Sequence, residues 1–187
     1  MLFHPKGDTE YGQYHVRFAE TRDAKGIINC MQSVMDERIY LVSEYYLLTE
    51  RGEQERIRSL EDMTLVAEFD REIVGVLTIQ RGMYKKTRHT ASLGIAIISE
   101  HRRKGLGYRM IEEAINWCRE KGIIKLNLEV FSHNHNAIAL YEKIGFQIEG
   151  YKKGQFMVEG HYSDDVLMTY VYLAKNFQFD CVMNRLC

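Results

Sequence analysis

The chain carries, at residues 97–107, the stretch Ile97-Ile98-Ser99-Glu100-His101-Arg102-Arg103-Lys104-Gly105-Leu106-Gly107. It begins at the end of an apolar run, passes through three consecutive basic residues and two glycines, and enters a segment with helical periodicity. A strand that leads through such a loop into a helix offers unpaired backbone N–H groups and the positive end of the helix dipole to an anion. The stretch therefore predicts an anion site, and a pyrophosphate fits it.

Two well-known phosphate loops do not match this stretch. A P-loop needs Gly-x-x-x-x-Gly-Lys-Ser/Thr, which the sequence lacks, and a dinucleotide fingerprint needs a third glycine where Met110 stands. Taken alone, Gly-x-Gly is a weak signal, and a helix-entry turn with solvated charges explains it equally well. A second motif is needed to decide between the two interpretations.

The second motif lies about thirty residues further on, within residues 128–146. It reads Asn134-x-x-Ala137-x-x-Leu140-Tyr141-x-Lys143-x-Gly145-Phe146 and follows an apolar strand. Together, the two motifs resemble those of the GNAT superfamily of acetyl-CoA-dependent N-acetyltransferases. The first matches the Arg/Gln-x-x-Gly-x-Gly/Ala loop that holds the coenzyme pyrophosphate. The resemblance is plain over residues 62–150 and fainter over residues 15–60.

The hydrophobic pattern predicts the element order β-α-α-β-β-β-α-β-α-β-β, with the last two strands over residues 146–151 and 166–173. The resemblance implies an α/β (α+β) fold in one domain. Its mixed, mostly antiparallel sheet has about seven strands, splays at the coenzyme site and carries helices on both faces. We expect a flexible arm over residues 1–14, the N-acetyltransferase domain over residues 15–173 and a C-terminal tail over residues 174–187.

The resemblance implies acetyl-CoA as cosubstrate and no metal. Backbone groups of Ile97 would hold the acetyl carbonyl and the pantetheine arm, and backbone N–H groups of residues 102–107 would hold the pyrophosphate. Asn134 stands at the family position that contacts the pantetheine arm. The full set of predicted coenzyme-binding residues is Ile97, Ile98, Ser99, Arg102, Arg103, Lys104, Gly105, Leu106, Gly107, Asn134 and Tyr141.

Two residues are predicted to carry the chemistry. An alkylamine with a pKa of roughly 10 must lose a proton before it attacks a thioester, and a carboxylate can accept that proton directly or through water. Glu129 is the predicted base, because Leu128-Glu129-Val130 before Asn134 resembles the ribosomal-protein alanine N-acetyltransferases. Tyr141 stands at the family's acid position. A solvent-facing Glu129, a merely packed Tyr141 and Glu68 as the base stay open as alternatives.

Acceptor-binding residues are predicted in two further segments. In the superfamily the link between the first two helices lines the acceptor pocket, and here it contains Tyr45 and Tyr46. Asp164, and Asp165 beside it, could attract a cationic amine. A packed helix link and a solvated strand entry are the alternatives. His133 and His135 flank Asn134 without a third ligand nearby and are interpreted as loop-surface histidines.

Composition narrows the class of protein. In 187 residues, 25 Lys and Arg balance 26 Asp and Glu, so the basic excess of a nucleic-acid-binding protein is missing. The longest apolar run, residues 93–98, is far below the ~18 residues that span a membrane. The N-terminus shows no apolar signal region, and the four cysteines show no paired spacing. These features predict a cytoplasmic protein without disulfides, nucleic-acid partner or membrane contact.

The predicted reaction is acetyl transfer from acetyl-CoA to the primary amine of a small molecule, such as an amino acid, a polyamine or an antibiotic-like amine. A protein N-terminus or lysine is the alternative acceptor, favoured by the resemblance of Glu129. A non-catalytic acyl-CoA-binding module is the alternative of another class. A homodimer, packed through apolar residues of the tail, is also left open.

Overall fold

The computed structural model describes residues 9–11 and 13–172, with side chains from residue 13 onward. These residues form eight β-strands and four α-helices. In chain order the elements are β1 (Thr9–Tyr11), β2 (Tyr14–Phe18), α1 (Ala24–Met35), α2 (Glu50–Ile57), β3 (Met63–Phe69), β4 (Glu72–Arg81), β5 (Thr90–Ile97), α3 (Leu106–Glu120), β6 (Lys125–Phe131), α4 (His135–Ile144), β7 (Gln147–Val158) and β8 (His161–Val171).

All eight strands belong to one sheet in the order β1-β2-β3-β4-β5-β6-β8-β7. The pair β5–β6 is parallel and every other pair is antiparallel. A parallel pair requires a crossover connection, and here the crossover is α3. The sequence prediction of a mixed, mostly antiparallel sheet is confirmed.

Helices cover both faces of the sheet, because alternate strand residues point to opposite sides. On one face α1 packs Ile27 and Cys30 against Val66 and Val76. On the other face α3 packs against the larger core. Its helical spacing supplies the fully buried residues of that contact, which are Leu106, Met110, Ile111 and Ala114.

The sheet opens between β5 and β6, near its middle. Their pairing covers three residues on each strand, from Thr90 opposite Lys125 to Ser92 opposite Asn127. β5 then continues to Ile97 and β6 to Phe131 without pairing with each other. The predicted splay is therefore present, and it leaves one edge of each strand without a ladder partner.

The structure differs from the predicted elements at both ends. Thr9–Tyr11, which the sequence assigned to an arm, pairs with β2, and this short strand raises the count from about seven to eight. β7 is twice as long as predicted, β8 begins five residues earlier than predicted, and the two strands join at Glu159 and Gly160, which both have positive φ. β7 is exposed along most of its length, so it lacks the apolar alternation that would mark a strand.

Residues 174–187 lie outside the described residues, as do Cys181 and Cys187. Cys30 and Cys118 are buried thiols, and burial raises the pKa of each to about 12. No helix among the described residues is both long enough and apolar enough to cross a membrane.

Candidate active site

A cavity of about 600 Å³ lies at the opening between β5 and β6. Its walls come from β5, the loop into α3, the first turn of α3, the end of β6, α4 and the link between α1 and α2. The lining residues are Val34, Tyr40, Leu41, Leu93, Gly94, Ile95, Ala96, Ile97, Ser99, Arg102, Arg103, Gly105, Gly107, Tyr108, Glu129, Val130, Asn134, Asn136, Ala137, Leu140 and Tyr141.

The backbone of β5 presents polar groups to this cavity. Ile98 N–H donates to Val74 O at 3.0 Å, and Ala96 lies opposite Val76. Because hydrogen-bonding direction alternates along a strand, the N–H and C=O groups of Ile95 and Ile97 point away from β4, toward the gap. The N–H of Ile97 therefore faces the gap, while the N–H of Ile98 is used within the sheet.

The loop before α3 has the backbone geometry of an anion cradle. Arg103 and Gly105 have φ values of 57° and 81°, so the chain turns through the left-handed region twice within three residues. Intrahelical bonding of α3 starts when Arg109 N–H donates to Gly105 O at 3.2 Å. The N–H groups before Arg109 in the first turn have no partner within the helix and can bind a ligand. Gly107 has a packing role as well, because a Cβ there would lie 3.2 Å from Leu140.

The side chain of Arg102 binds groups of the protein itself. Its guanidinium forms a bidentate ion pair with Glu37 and donates to Ile97 O at 2.7 Å. Its backbone N–H donates to Ser99 O at 3.2 Å, and its side chain lies over the ring of Tyr40. Arg102 therefore fastens the α1–α2 link to the end of β5, while the exposed Arg103 carries the free charge of the loop.

Asn134 and Tyr141 lie on the opposite wall. Asn134 caps α4 through its Oδ1, which accepts from Ala137 N–H at 3.2 Å. Asn134 also lines the cavity. Tyr141 is 7% exposed, and burial raises the pKa of its hydroxyl to about 12. Tyr141, the predicted acid, therefore lines the cavity as a protonated hydroxyl.

Glu129 also lines the cavity, at the end of β6. The Lys152 ammonium, from β7, lies 2.9 Å from its Oε1 and 3.0 Å from Oδ2 of Asp165, on β8. Asp165 is 1% exposed, and burial, reinforced by the nearby Glu129, raises its pKa despite the ion pair with Lys152. The structure thus brings the predicted base together with Asp165 and with a lysine that the sequence analysis missed.

The link between α1 and α2 bridges the opening. Glu37 is bound to Arg102, which follows β5, and Ile39 O accepts from His133 Nε2 at 2.9 Å, after β6. The link is thus fastened on both sides of the gap, and Tyr40 and Leu41, which directly follow the second anchor, line the cavity.

The predicted acceptor residues of this link lie elsewhere. Tyr45 is 64% exposed, and Tyr46 donates its hydroxyl to the fully buried Glu53 at 2.6 Å. Neither residue lines the cavity. The sequence predicted the correct segment, but the residues of this segment that line the cavity are Tyr40 and Leu41, next to the anchored Glu37 and Ile39.

Four other predicted residues also lie outside the cavity. Asp164 binds Lys153 Nζ at 2.6 Å, and Glu68 binds Arg17 at 2.9 Å, a guanidinium that it shares with Asp23, so both carboxylates are paired away from the cavity. Leu106 belongs to the core, and Lys104 is exposed. His133 is exposed, as the sequence predicted, and its ring nitrogens lie within hydrogen-bond distance of Ser163 Oγ and Ile39 O.

Some lining residues carried a signal that could have been used. Ala137 and Leu140 follow Asn134 at spacings of three and six residues, which places them on the same helical face as the predicted Tyr141. Tyr108, in the first turn of α3, follows the glycine loop directly. Lys152 carried no such signal, because only the register of β6, β8 and β7 brings it to Glu129.

Residues 30–146 match the family model for the acetyltransferase (GNAT) family. The L-amino acid N-acetyltransferase AaaT of Escherichia coli K12 is 32% identical over 168 residues, which is 83% of this chain and 96% of that protein. The [ribosomal protein bS18]-alanine N-acetyltransferase of Salmonella typhimurium is 32% identical over 74 residues, which is 40% of this chain. The match spans only half the length of that relative.

Solved structures show the same architecture. A GNAT-family acetyltransferase from Streptococcus pneumoniae superposes with a TM-score of 0.80 at 31% identity, over 84% of this chain and 99% of that chain. A Salmonella typhimurium structure with its cofactor acetyl-CoA superposes with a TM-score of 0.79 over 90% of this chain and 99% of that chain. At 18% identity, the second match shows the fold alone.

Proposed function

The chain belongs to the GNAT family of acetyltransferases, and we propose that it transfers the acetyl group of acetyl-CoA to the primary amine of a small molecule. One observation carries the proposal: Glu129 and Tyr141 line the same cavity, at the opening of the sheet, together with a loop that suits a pyrophosphate. A binding module would need neither the carboxylate nor the buried hydroxyl.

The residues of the cavity fit acetyl-CoA in three ways. Backbone groups of Ile95 and Ile97 suit the amides of a pantetheine arm, and the loop from Arg103 to Gly107 suits its pyrophosphate. The Asn134 amide supplies further donors on the facing wall. When bound there, acetyl-CoA supplies the acetyl thioester.

Glu129 is suited to the role of base. It lies at the cavity wall beside the gap, and its side chain is 60% exposed. An acceptor ammonium held there would pass a proton to its carboxylate, directly or through one water. The acceptor nitrogen would then carry the lone pair that attack requires.

Tyr141 is suited to the role of acid. Burial raises the pKa of its hydroxyl to about 12, so the group keeps its proton at any physiological pH. Within the described residues, the hydroxyl has no hydrogen-bond partner that would hold this proton elsewhere. It can therefore donate at the sulfur of the departing thiolate.

The bridged opening favours a small acceptor over a protein chain. The α1–α2 link is fastened to Arg102 on one side and to His133 on the other, so it crosses the gap in which an extended peptide would have to lie. The relative matched over nearly its whole length is named for L-amino acids. A protein N-terminus is the second candidate, supported by the partial match to the bS18-alanine enzyme.

Calorimetric titration with acetyl-CoA, CoA and 3′-dephospho-CoA tests the coenzyme site first. We expect saturable binding with a Kd near 1 μM, about −8 kcal/mol. Thiol release is then measured with L-amino acids, polyamines and peptides that begin with alanine. Absence of coenzyme binding would refute the proposal, and a preference for the peptides would transfer the assignment to the second candidate.

A further inference from the structure

Lys152 lies where an acceptor would meet the base. Its Nζ is 2.9 Å from Oε1 of Glu129, which lines the cavity, and 3.0 Å from Oδ2 of Asp165. β7 and β8 fix this arrangement, because Lys152 and Asp165 are cross-strand partners and their side chains share a face of the sheet. The Lys152 ammonium is therefore held in a fixed position beside the predicted base.

Asp165 anchors this ammonium. It is 1% exposed, and within the described residues the Lys152 ammonium is its one cationic partner. A buried carboxylate without a partner is costly, so the pair is strongly held. Glu129 is the opposite case, since its side chain is 60% exposed and can exchange Lys152 for another cation.

The ammonium still has a donor to offer. A lysine carries three N–H groups, and the two carboxylates take two of them. A ligand that approaches Glu129 from the cavity therefore meets a carboxylate that accepts and, about 3 Å away, an ammonium that donates. An α-amino acid is the complementary molecule, because its ammonium and carboxylate are separated by a single carbon.

We propose that Lys152 binds the carboxylate of the acceptor, so that the Glu129–Lys152 pair selects free α-amino acids over polyamines and peptide N-termini. This inference rests on the proposed function and narrows its acceptor class. In the complex, the substrate ammonium contacts Glu129 and its carboxylate takes the third donor of Lys152. A polyamine or a peptide N-terminus presents no anion there, and its positive charge is repelled by the lysine.

The test compares an L-amino acid with its own carboxamide, using L-alanine, L-methionine and L-phenylalanine as probes. kcat/KM is measured for each pair in the wild type and in Lys152→Gln, Lys152→Arg and Lys153→Gln. The acid-to-amide ratio cancels differences in amine reactivity, because each variant meets the same two amines. Lys153 is the matched control, since it is 77% exposed and binds Asp164 outside the cavity.

We expect Lys152→Gln to lower the acid-to-amide ratio about 10- to 100-fold, as the loss of a charge-assisted hydrogen bond would do. Lys152→Arg should keep most of the ratio, and Lys153→Gln should keep all of it. If Lys152→Gln does not fold, the acid-to-amide ratios of the wild type and of Lys152→Arg still test whether the acceptor carboxylate is bound.

Three outcomes would overturn the inference. An equal fall for acid and amide would mean that Lys152 only orients Glu129. A wild type that prefers polyamines, peptides or the carboxamides would remove the carboxylate subsite and leave the proposed acetyl transfer standing. Coenzyme binding without acetylation of any amine would refute the proposed function itself, and the subsite with it.

Discussion

The two sides of the cavity are built in different ways. The coenzyme side consists of short continuous segments: the end of β5 with its loop and the first turn of α3, and the start of α4. The acceptor side is assembled from distant segments, with Glu37 bound to Arg102, Ile39 to His133, and Lys152 to Glu129. These pairs are separated by 65, 94 and 23 residues along the chain.

This difference suits the two sides to different tasks: the proposed coenzyme side can serve every acceptor, and the proposed acceptor side can select among acceptors. A local motif keeps its geometry wherever its strand and helix form, because its backbone supplies most of the contacts. A wall made of long-range side-chain pairs changes whenever either partner changes. We therefore expect substitutions on the proposed coenzyme side to affect every acceptor alike. Substitutions on the proposed acceptor side, apart from those of the base Glu129, should alter stability or acceptor choice.

The largest effect is expected for Tyr141→Phe, on the coenzyme side. Removing the acid should lower kcat about 10²- to 10⁴-fold, with the Kd of acetyl-CoA and the order of acceptors unchanged. Stopped-flow thiol release and calorimetry measure the two quantities. Tyr84→Phe, an exposed tyrosine in the β4–β5 turn, is the control. Unchanged turnover would show that Tyr141 is a packing residue only.

Glu129→Gln should have the next largest effect, lowering kcat by about 10²-fold for all acceptors. The matched variant is Glu68→Gln, because that carboxylate binds Arg17 and lies outside the cavity. Steady-state rates should stay near wild type for Glu68→Gln. A reversal, in which Glu68→Gln loses activity and Glu129→Gln keeps it, would move the base to β3.

Arg102→Gln and Arg103→Gln change neighbouring residues that we expect to serve different sides of the cavity. Arg102 holds Glu37, so its loss should reduce the free energy of unfolding by about 1.5–3 kcal/mol. Arg103 is exposed at the loop, so its loss should weaken acetyl-CoA binding a few-fold and change stability by less than about 0.5 kcal/mol. Urea unfolding and calorimetry on both proteins separate the effects. Equal changes in unfolding free energy and in acetyl-CoA affinity for the two variants would contradict this assignment.

The smallest functional effect is expected for Tyr46→Phe. Its hydroxyl donates to Glu53, which is fully buried, so the variant should lose about 1–3 kcal/mol of unfolding free energy while KM for the acceptor stays the same. Tyr45→Phe, on the exposed neighbour, should change neither. A raised acceptor KM in Tyr46→Phe with unchanged stability would return Tyr46 to the acceptor site.

On the proposed coenzyme side, the sequence predicted most of the residues that line the cavity. Arg103, Gly105, Gly107, Asn134 and Tyr141 were all predicted, and all line the cavity. Their roles depend on local backbone geometry: a strand end, a left-handed turn, a helix start and a helix cap. Such geometry follows from residues that are near each other in the chain, so a pattern of letters is enough to predict it.

The sequence was insufficient wherever side chains choose partners across the fold. Arg102 was predicted to bind the coenzyme, but its guanidinium forms an ion pair with Glu37, which lies 65 residues away in the chain. Tyr45 and Asp164 were assigned to the acceptor, but one faces solvent and the other binds Lys153. The long β7–β8 hairpin was underpredicted because β7 is largely exposed and lacks apolar alternation.

The sequence by itself thus determined the family, the order of the main elements and the local frame in which the coenzyme site forms. Tertiary structure alone decided which side chains face the acceptor, because that choice depends on strand register and on competition among charged groups. Placing Lys152 between Glu129 and Asp165 requires three strands in register. The hydrophobic pattern fixes which face of a strand is buried, but it does not select the ionic partner on the polar face.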